Sequence, residues 1–150
     1  MAVIRLTKEF RFEMAHALWN YTGPCKNIHG HSYRLTVTIT GEPVNEPGNP
    51  YNGMLMDFSD LKRIVHSQVI DVFDHALVVY KGSPSDFMHN VEQMFEKYYK
   101  MDYQPTCENL VTDMAARIAP HLPAPIKLHS LRLDETATSS AEWHHADNSA

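Results

Sequence analysis

Apolar and polar residues alternate at two places in the chain. Phe10, Phe12 and Met14 share one parity against Arg11 and Glu13, and Tyr33, Leu35, Val37 and Ile39 alternate with Arg34, Thr36, Thr38 and Thr40. Period two is the mark of a half-buried strand, so strands are predicted over 3–14 and 29–40. His16 continues the apolar parity of the first, and His29 and His31 that of the second. The stretch from Gly41 to Gly53, rich in Pro, Gly and Asn, reads as a loop, and Met54-Leu55-Met56 as a short third strand.

The period then changes. Leu61, Ile64, Val65, Val69 and Val72 recur at helical spacing, which predicts a helix from near Ser59, with Asp60 in its first turn, to just before Asp74-His75. A short strand over 76–80 is cut by Gly82-Ser83-Pro84. Phe87, Val91, Met94, Phe95 and Tyr98 predict an extra amphipathic helix capped by Ser85 or Asp86. Thr106, after Pro105, is the expected N-cap of a second main helix with Leu110, Val111, Met114, Ala115 and Ile118 as its buried stripe, stopped by Pro120 and Pro123. A last strand is expected from Ile126 to about Glu135. Ile126 and Leu128 lie on the opposite parity to Leu131 and Leu133, which calls for a bulge or twist between them. The small, polar tail from Thr136 is expected to fray after Trp143. Strands in pairs, with helices after them, predict an α+β domain: an antiparallel sheet with helices on one face.

At 150 residues the chain is one domain's length, 1–150, and 43% hydrophobic with 21% charged residues is the make-up of a folded protein. The net charge of −5 without a basic run argues against a nucleic-acid or anionic-membrane surface, and leaves room for a small anionic ligand. No membrane span or secretory leader is visible, so a cytoplasmic protein is expected, with Cys25 and Cys107 kept as thiols.

Ten histidines are the unusual feature. His29 and His31, at i and i+2, project to the same side of an extended chain, and Gly30 between them lets the backbone pass close to an ion or substrate. With His16 at matching parity on the neighbouring strand, three imidazoles converge at the end of a sheet, as in an open zinc site. Cys25 either completes a closed structural site or stands beside the metal as a thiolate base; spacing leaves both open. Cys107, at a helix start, reads as a small buried thiol. Asp74-His75 is a candidate acid/base pair. Glu135 is a carboxylate where an apolar residue is due, suited to accept paired hydrogen bonds from the amidine-like edge of a pterin or guanine ring. His66, His89, His121, His129, His144 and His145 form no pattern.

The ordered set Phe10-x-Phe12-x-x-Ala15-His16, Cys25-x-x-x-His29-Gly30-His31, Met56-Asp57-Phe58, Asp74-His75, Pro105-Thr106-x-Glu108-Asn109 and Glu135-Thr136 resembles the 6-pyruvoyl-tetrahydropterin synthase / 6-carboxytetrahydropterin synthase family, from about residue 5 to 143. The resemblance implies the tunnelling fold: a four-stranded antiparallel sheet and two main helices per subunit, trimers closed into a barrel, and two trimers stacked as a hexamer with sites at subunit interfaces. It implies His16, His29 and His31 as zinc ligands and Cys25 as general base. It further implies His75, oriented by Asp74, as an acid/base group from a neighbouring subunit, Glu135 as the pterin anchor within the proton relay, and Thr106 and Glu108 in the pocket. The implied substrate is 7,8-dihydroneopterin triphosphate, and two outcomes are known in the family. One cleaves the side chain to 6-carboxytetrahydropterin, acetaldehyde and triphosphate, on the route to queuosine and other deazapurines; the other eliminates triphosphate and keeps the side-chain carbons. The compact Cys25-x-x-x-His29 spacing is similar to the first group. A third group, serving folate synthesis, usually has Glu near the position of Cys25.

Three departures accompany the resemblance: a longer 82–104 connection, Met14 in place of a small residue and Trp143 in place of tyrosine. A noncatalytic scaffold with a closed Cys25/His16/His29/His31 zinc site is the rival from another class. A zinc hydrolase is a further alternative, but no glutamate stands where its helical motif requires one.

Overall fold

The two alternating segments pair with each other. In a computed structural model that describes residues 2–150, β1 (Ile4–His16) and β2 (His29–Gly41) run antiparallel in unbroken register, from Ile4 opposite Gly41 to His16 opposite His29. Partners across an antiparallel ladder point to the same face, so Phe10, Phe12 and Met14 join Tyr33, Leu35, Val37 and Ile39 in one apolar layer.

The sheet is larger than the four antiparallel strands expected. It has six, in the order β4-β3-β1-β2-β5-β6, with β3 (Leu77–Tyr80), β4 (Tyr98–Met101), β5 (Lys127–Asp134) and β6 (Ser140–His144) added to the first pair. It is also mixed, since β3 runs parallel to β1 and β4 parallel to β3. Two of these strands were hidden in segments with other readings. The predicted extra helix, α3 (Ser85–Met94), stops at Phe95, whose backbone is extended, so the aromatic residues beyond it form β4 instead of a further turn. The polar tail contains β6, in which Ala141 and Trp143 pack on the core while the strand covers the outer edge of β5. Conversely, Met54-Leu55-Met56 is not a strand. Gly53 turns at φ +89°, Val44 bonds to both sides of that turn, and Leu55 is buried in the core with Met56 packed against it.

The parity conflict in the last strand is a register shift. Thr38 faces Ser130 and Ile39 faces Leu128, which leaves His129 as the extra residue of a bulge. Leu128, Leu131 and Leu133 thereby all reach the core.

The first main helix, α1 (Phe58–Val65), is capped by Asp57, whose Oδ1 accepts from the Ser59 amide at 2.7 Å and from its hydroxyl at 2.6 Å. The Ser59 hydroxyl, then its amide, hold the Asp57 carboxyl below the usual range. A π-turn over His66–Ile70 leads into a last turn, α2 (Asp71–Phe73). The wide turn lets Val69, Ile70 and Phe73 all face inward with Leu61 and Val65. The second, α4 (Cys107–Ile118), begins at the expected cap, Thr106, whose hydroxyl accepts from the Asn109 amide at 3.2 Å. These helices cover one face of the sheet. Helix α3 covers the other: Met88 and Val91 pack on Leu77 and Val79 in a separate small core with Ala15. A short helical turn, α5 (His145–Asn148), follows β6. Among the described residues, no helix is long and apolar enough to cross a membrane.

Candidate metal centre and active site

The ladder that pairs His16 with His29 also sets His31 opposite Met14, two residues back on the same face. The three ligand-capable nitrogens lie within 4.8 Å of one another. Two of the rings have their tautomers dictated by the backbone. His16 Nδ1 donates to the Pro105 carbonyl at 2.6 Å and His29 Nδ1 to the Asn27 carbonyl at 2.7 Å, so each Nε2 keeps a lone pair. Those Nε2 atoms are 3.0 Å apart, and two facing lone pairs repel unless a proton or a cation lies between them. Among the described residues His31 Nε2, which is buried, finds no hydrogen-bond partner, and it lies 3.5 Å from Glu135 Oε1. A tetrahedral ion at roughly 2.0–2.1 Å from each nitrogen would satisfy all three and leave one position open. The donor set therefore fits a metal ion. Burial pushes the His16 imidazole below its ordinary value, against the pull of the Pro105 carbonyl, which favours the neutral ring that a metal needs.

Beside the triad lies a cavity of about 220 Å³, lined by His16, Cys25, Thr106, Cys107, Glu108 and Glu135 together with Leu18, Ser139 and Ser140. Cys25 sits half-buried on a 3-10 turn, Pro24–Lys26, whose Cys25 carbonyl accepts from the Leu18 amide at 3.1 Å. Its sulfur is outside the cluster of ligand atoms, so a closed Cys/His site is not what the residues assemble. Glu135 follows β5 directly, in the turn to β6, with its amide bonded to the Ser139 carbonyl at 3.0 Å. Cys107 has a different environment from Cys25. Its thiol donates to the Leu133 carbonyl at 3.4 Å, and burial, with the Glu135 and Glu108 carboxylates, pushes it up to about 12.

Asp74 and His75 are not brought to this cavity. They turn the chain between α2 and β3, and His75 takes the left-handed conformation at φ +62°. Asp74 Oδ1 accepts from the Glu13 amide at 3.0 Å and lies 3.0 Å from His75 Nδ1. Burial works to raise the Asp74 carboxyl, but the Glu13 amide and the His75 ring outweigh it and hold the group below the usual range. The His75 side chain is 76% exposed. It lines a second, wider depression of about 740 Å³ with Glu13, Ala15, Gly30, Ser32 and Lys97, which His31 also borders.

Over residues 5–146 the chain matches the family model described as 6-pyruvoyl tetrahydropterin synthase. The chain belongs to that family. Among its relatives is a 6-carboxy-5,6,7,8-tetrahydropterin synthase of Haemophilus influenzae, 32% identical over 143 residues, which span 94% of this chain and 99% of the relative. A protein of the same name from Synechocystis is 31% identical over 141 residues, 91% of this chain and 89% of its own. In fold, the chain is similar to an uncharacterized protein of Wolinella succinogenes, with TM-score 0.78 at 18% identity over 97% and 99% of the two chains. It is also similar to Caenorhabditis elegans 6-pyruvoyl tetrahydropterin synthase, with TM-score 0.68 at 22% identity over 96% of each.

For this pterin synthase family member, the sequence names the three clustered imidazoles but misses what orients them. The Asn27 and Pro105 carbonyls act through the backbone, which residue type does not advertise. Tyr33 reads as an ordinary core position, yet its buried hydroxyl finds no partner among the described residues and its ring lies edge-on to His31 at 5.6 Å. Burial, followed by the Glu135 carboxylate, raises that phenol. Gly30 departs from expectation. Strand alternation turns it to the face away from the imidazoles, where an added Cβ would meet the Met14 carbonyl at 3.4 Å. It serves the β1–β2 contact and the outer depression, with no approach to the metal position.

Proposed function

We propose that this chain is a zinc-dependent 6-carboxy-5,6,7,8-tetrahydropterin synthase, a lyase that converts 7,8-dihydroneopterin triphosphate and water to 6-carboxytetrahydropterin, acetaldehyde and triphosphate, as in queuosine and deazapurine biosynthesis. The observation that carries this reading is the histidine triad with two preset tautomers and, among the described residues, one unpartnered nitrogen and no fourth residue in the cluster, beside a cavity that holds Cys25 and Glu135. The name of the relatives that match nearly the whole chain supports the same branch.

In this reading His16, His29 and His31 hold the ion through Nε2. Bound there, zinc supplies Lewis acidity to the hydroxyls of the substrate side chain. Cys25 Sγ takes the proton from the side-chain carbon, and His75, steadied by Asp74 and supplied by a neighbouring subunit, is the partner acid/base. The Glu135 carboxylate accepts the paired N–H groups of the pterin edge and joins the proton relay. Thr106 and Glu108 shape the pocket wall, with the Thr106 hydroxyl also tied to its helix cap. The whole chain, 1–150, acts as one tunnelling-fold domain in a cytoplasmic homohexamer of two stacked trimers.

The test is mass spectrometry of the products after zinc-loaded protein is incubated with 7,8-dihydroneopterin triphosphate. A 6-carboxy product with acetaldehyde is expected. A 6-pyruvoyl product would move the chain to the triphosphate-eliminating branch, and untouched substrate would favour the noncatalytic scaffold.

A further inference from the structure

We propose that Lys97 is a positioning residue for His75, gripping the peptide on which the imidazole is mounted; this rests on the reading of His75 as the acid/base group. His75 is a non-glycine residue in the left-handed region, a conformation that is disfavoured for a side chain with a Cβ and persists only where the surroundings over-determine it. Most of the restraint comes from β1. The His75 amide donates to the Glu13 carbonyl at 2.6 Å, and the Glu13 amide donates to Asp74 Oδ1 at 3.0 Å.

One group on that turn is held from elsewhere. The Asp74 carbonyl shares a peptide plane with the His75 amide and, in a trans peptide, points the opposite way. Lys97 Nζ donates to that carbonyl at 2.6 Å, a charge-assisted bond. Glu13 therefore draws one side of the plane and Lys97 the other. Together they fix its rotation, and with it the direction of the His75 Cα–Cβ bond. Lys97 is itself anchored, because its carbonyl accepts from the Leu77 amide at 3.1 Å where β3 and β4 begin to pair. One residue of the connection between β3 and α4 thus holds the chain on both sides of His75. With its ammonium on a main-chain oxygen, Lys97 acts on the mount and leaves the substrate to the imidazole.

The experiment compares Lys97→Met and Lys97→Arg in the zinc-loaded oligomer, alone and in a His75→Ala background, with amide deuterium exchange of all forms read by mass spectrometry. Lys97→Met should lower kcat roughly tenfold with KM and zinc content unchanged, and Lys97→Arg should recover most of the loss. In the His75→Ala background the same change should alter the residual rate by less than about twofold, because the two residues act as one unit. Exchange at His75 and Ala76 should quicken about tenfold in Lys97→Met, with the β1–β2 ladder unaffected. A full tenfold loss on top of His75→Ala, or a raised KM with exchange unchanged, would put Lys97 on the substrate and overturn the proposal. A fully active His75→Ala would sink the acid/base reading instead, and exchange alone would then decide whether Lys97 holds the turn.

Discussion

Cys25 and Cys107 line the same cavity, and their surroundings give them different chemistry. Cys107 is bonded to a core carbonyl and faces two carboxylates that oppose its ionisation, whereas Cys25 stands on a separate turn and shares the cavity with His16 of the triad. The triad is complete without Cys25. Replacing it with alanine should leave zinc bound at one equivalent per chain, by metal analysis, while turnover falls by roughly 10²–10⁴, the usual loss for a general base. Zinc release with unfolding would instead make Cys25 a structural ligand.

Helix α4 carries two duties at one end. Its cap, Thr106, follows the Pro105 carbonyl that orients His16, so the same turn starts the helix and aims one imidazole of the triad. Thr106→Ala should cost about 1 kcal/mol in a denaturant titration, the worth of an N-cap, and Thr106→Ser should cost little, since its hydroxyl still reaches the Asn109 amide. Equal destabilisation by both would point to the methyl group and not the cap. The π-turn after α1 and the bulge at His129 show the same economy, each absorbing one residue so that apolar side chains on both sides keep facing the core.

A single chain does not assemble the proposed machinery. His16, Cys25 and Glu135 share the cavity on the helix-covered side, while Asp74 and His75 hang on the Glu13 side of β1, next to residues that point through the other face. The two depressions share no lining residue, which supports a site shared by neighbouring subunits. Co-expressed Cys25→Ala and His75→Ala chains, each strongly impaired by itself, should regain about a quarter of the normal turnover when they assemble randomly, because one shared site in four then receives both intact residues. Mixed oligomers with no recovered activity would mean that each chain uses only its own residues.

The histidine triad was legible because alternation has a fixed period. Once Phe10 to Met14 and Tyr33 to Ile39 are strands, the faces of His16, His29 and His31 follow, as do the helical stripes and the Thr106 cap. Parity even exposed the bulge, since Leu128 and Leu131 conflict without it. The strands β4 and β6 were not legible: the aromatic run after α3 suits a helix as well as a strand, and small polar residues become a strand only when the open edge of β5 offers hydrogen bonds. The carbonyls that choose the tautomers, the separation of His75 from the cavity and the grip of Lys97 on its peptide belong to the tertiary structure alone. They are contacts between distant parts of the backbone, set by how chain segments cross in space, and no residue type along the chain encodes them.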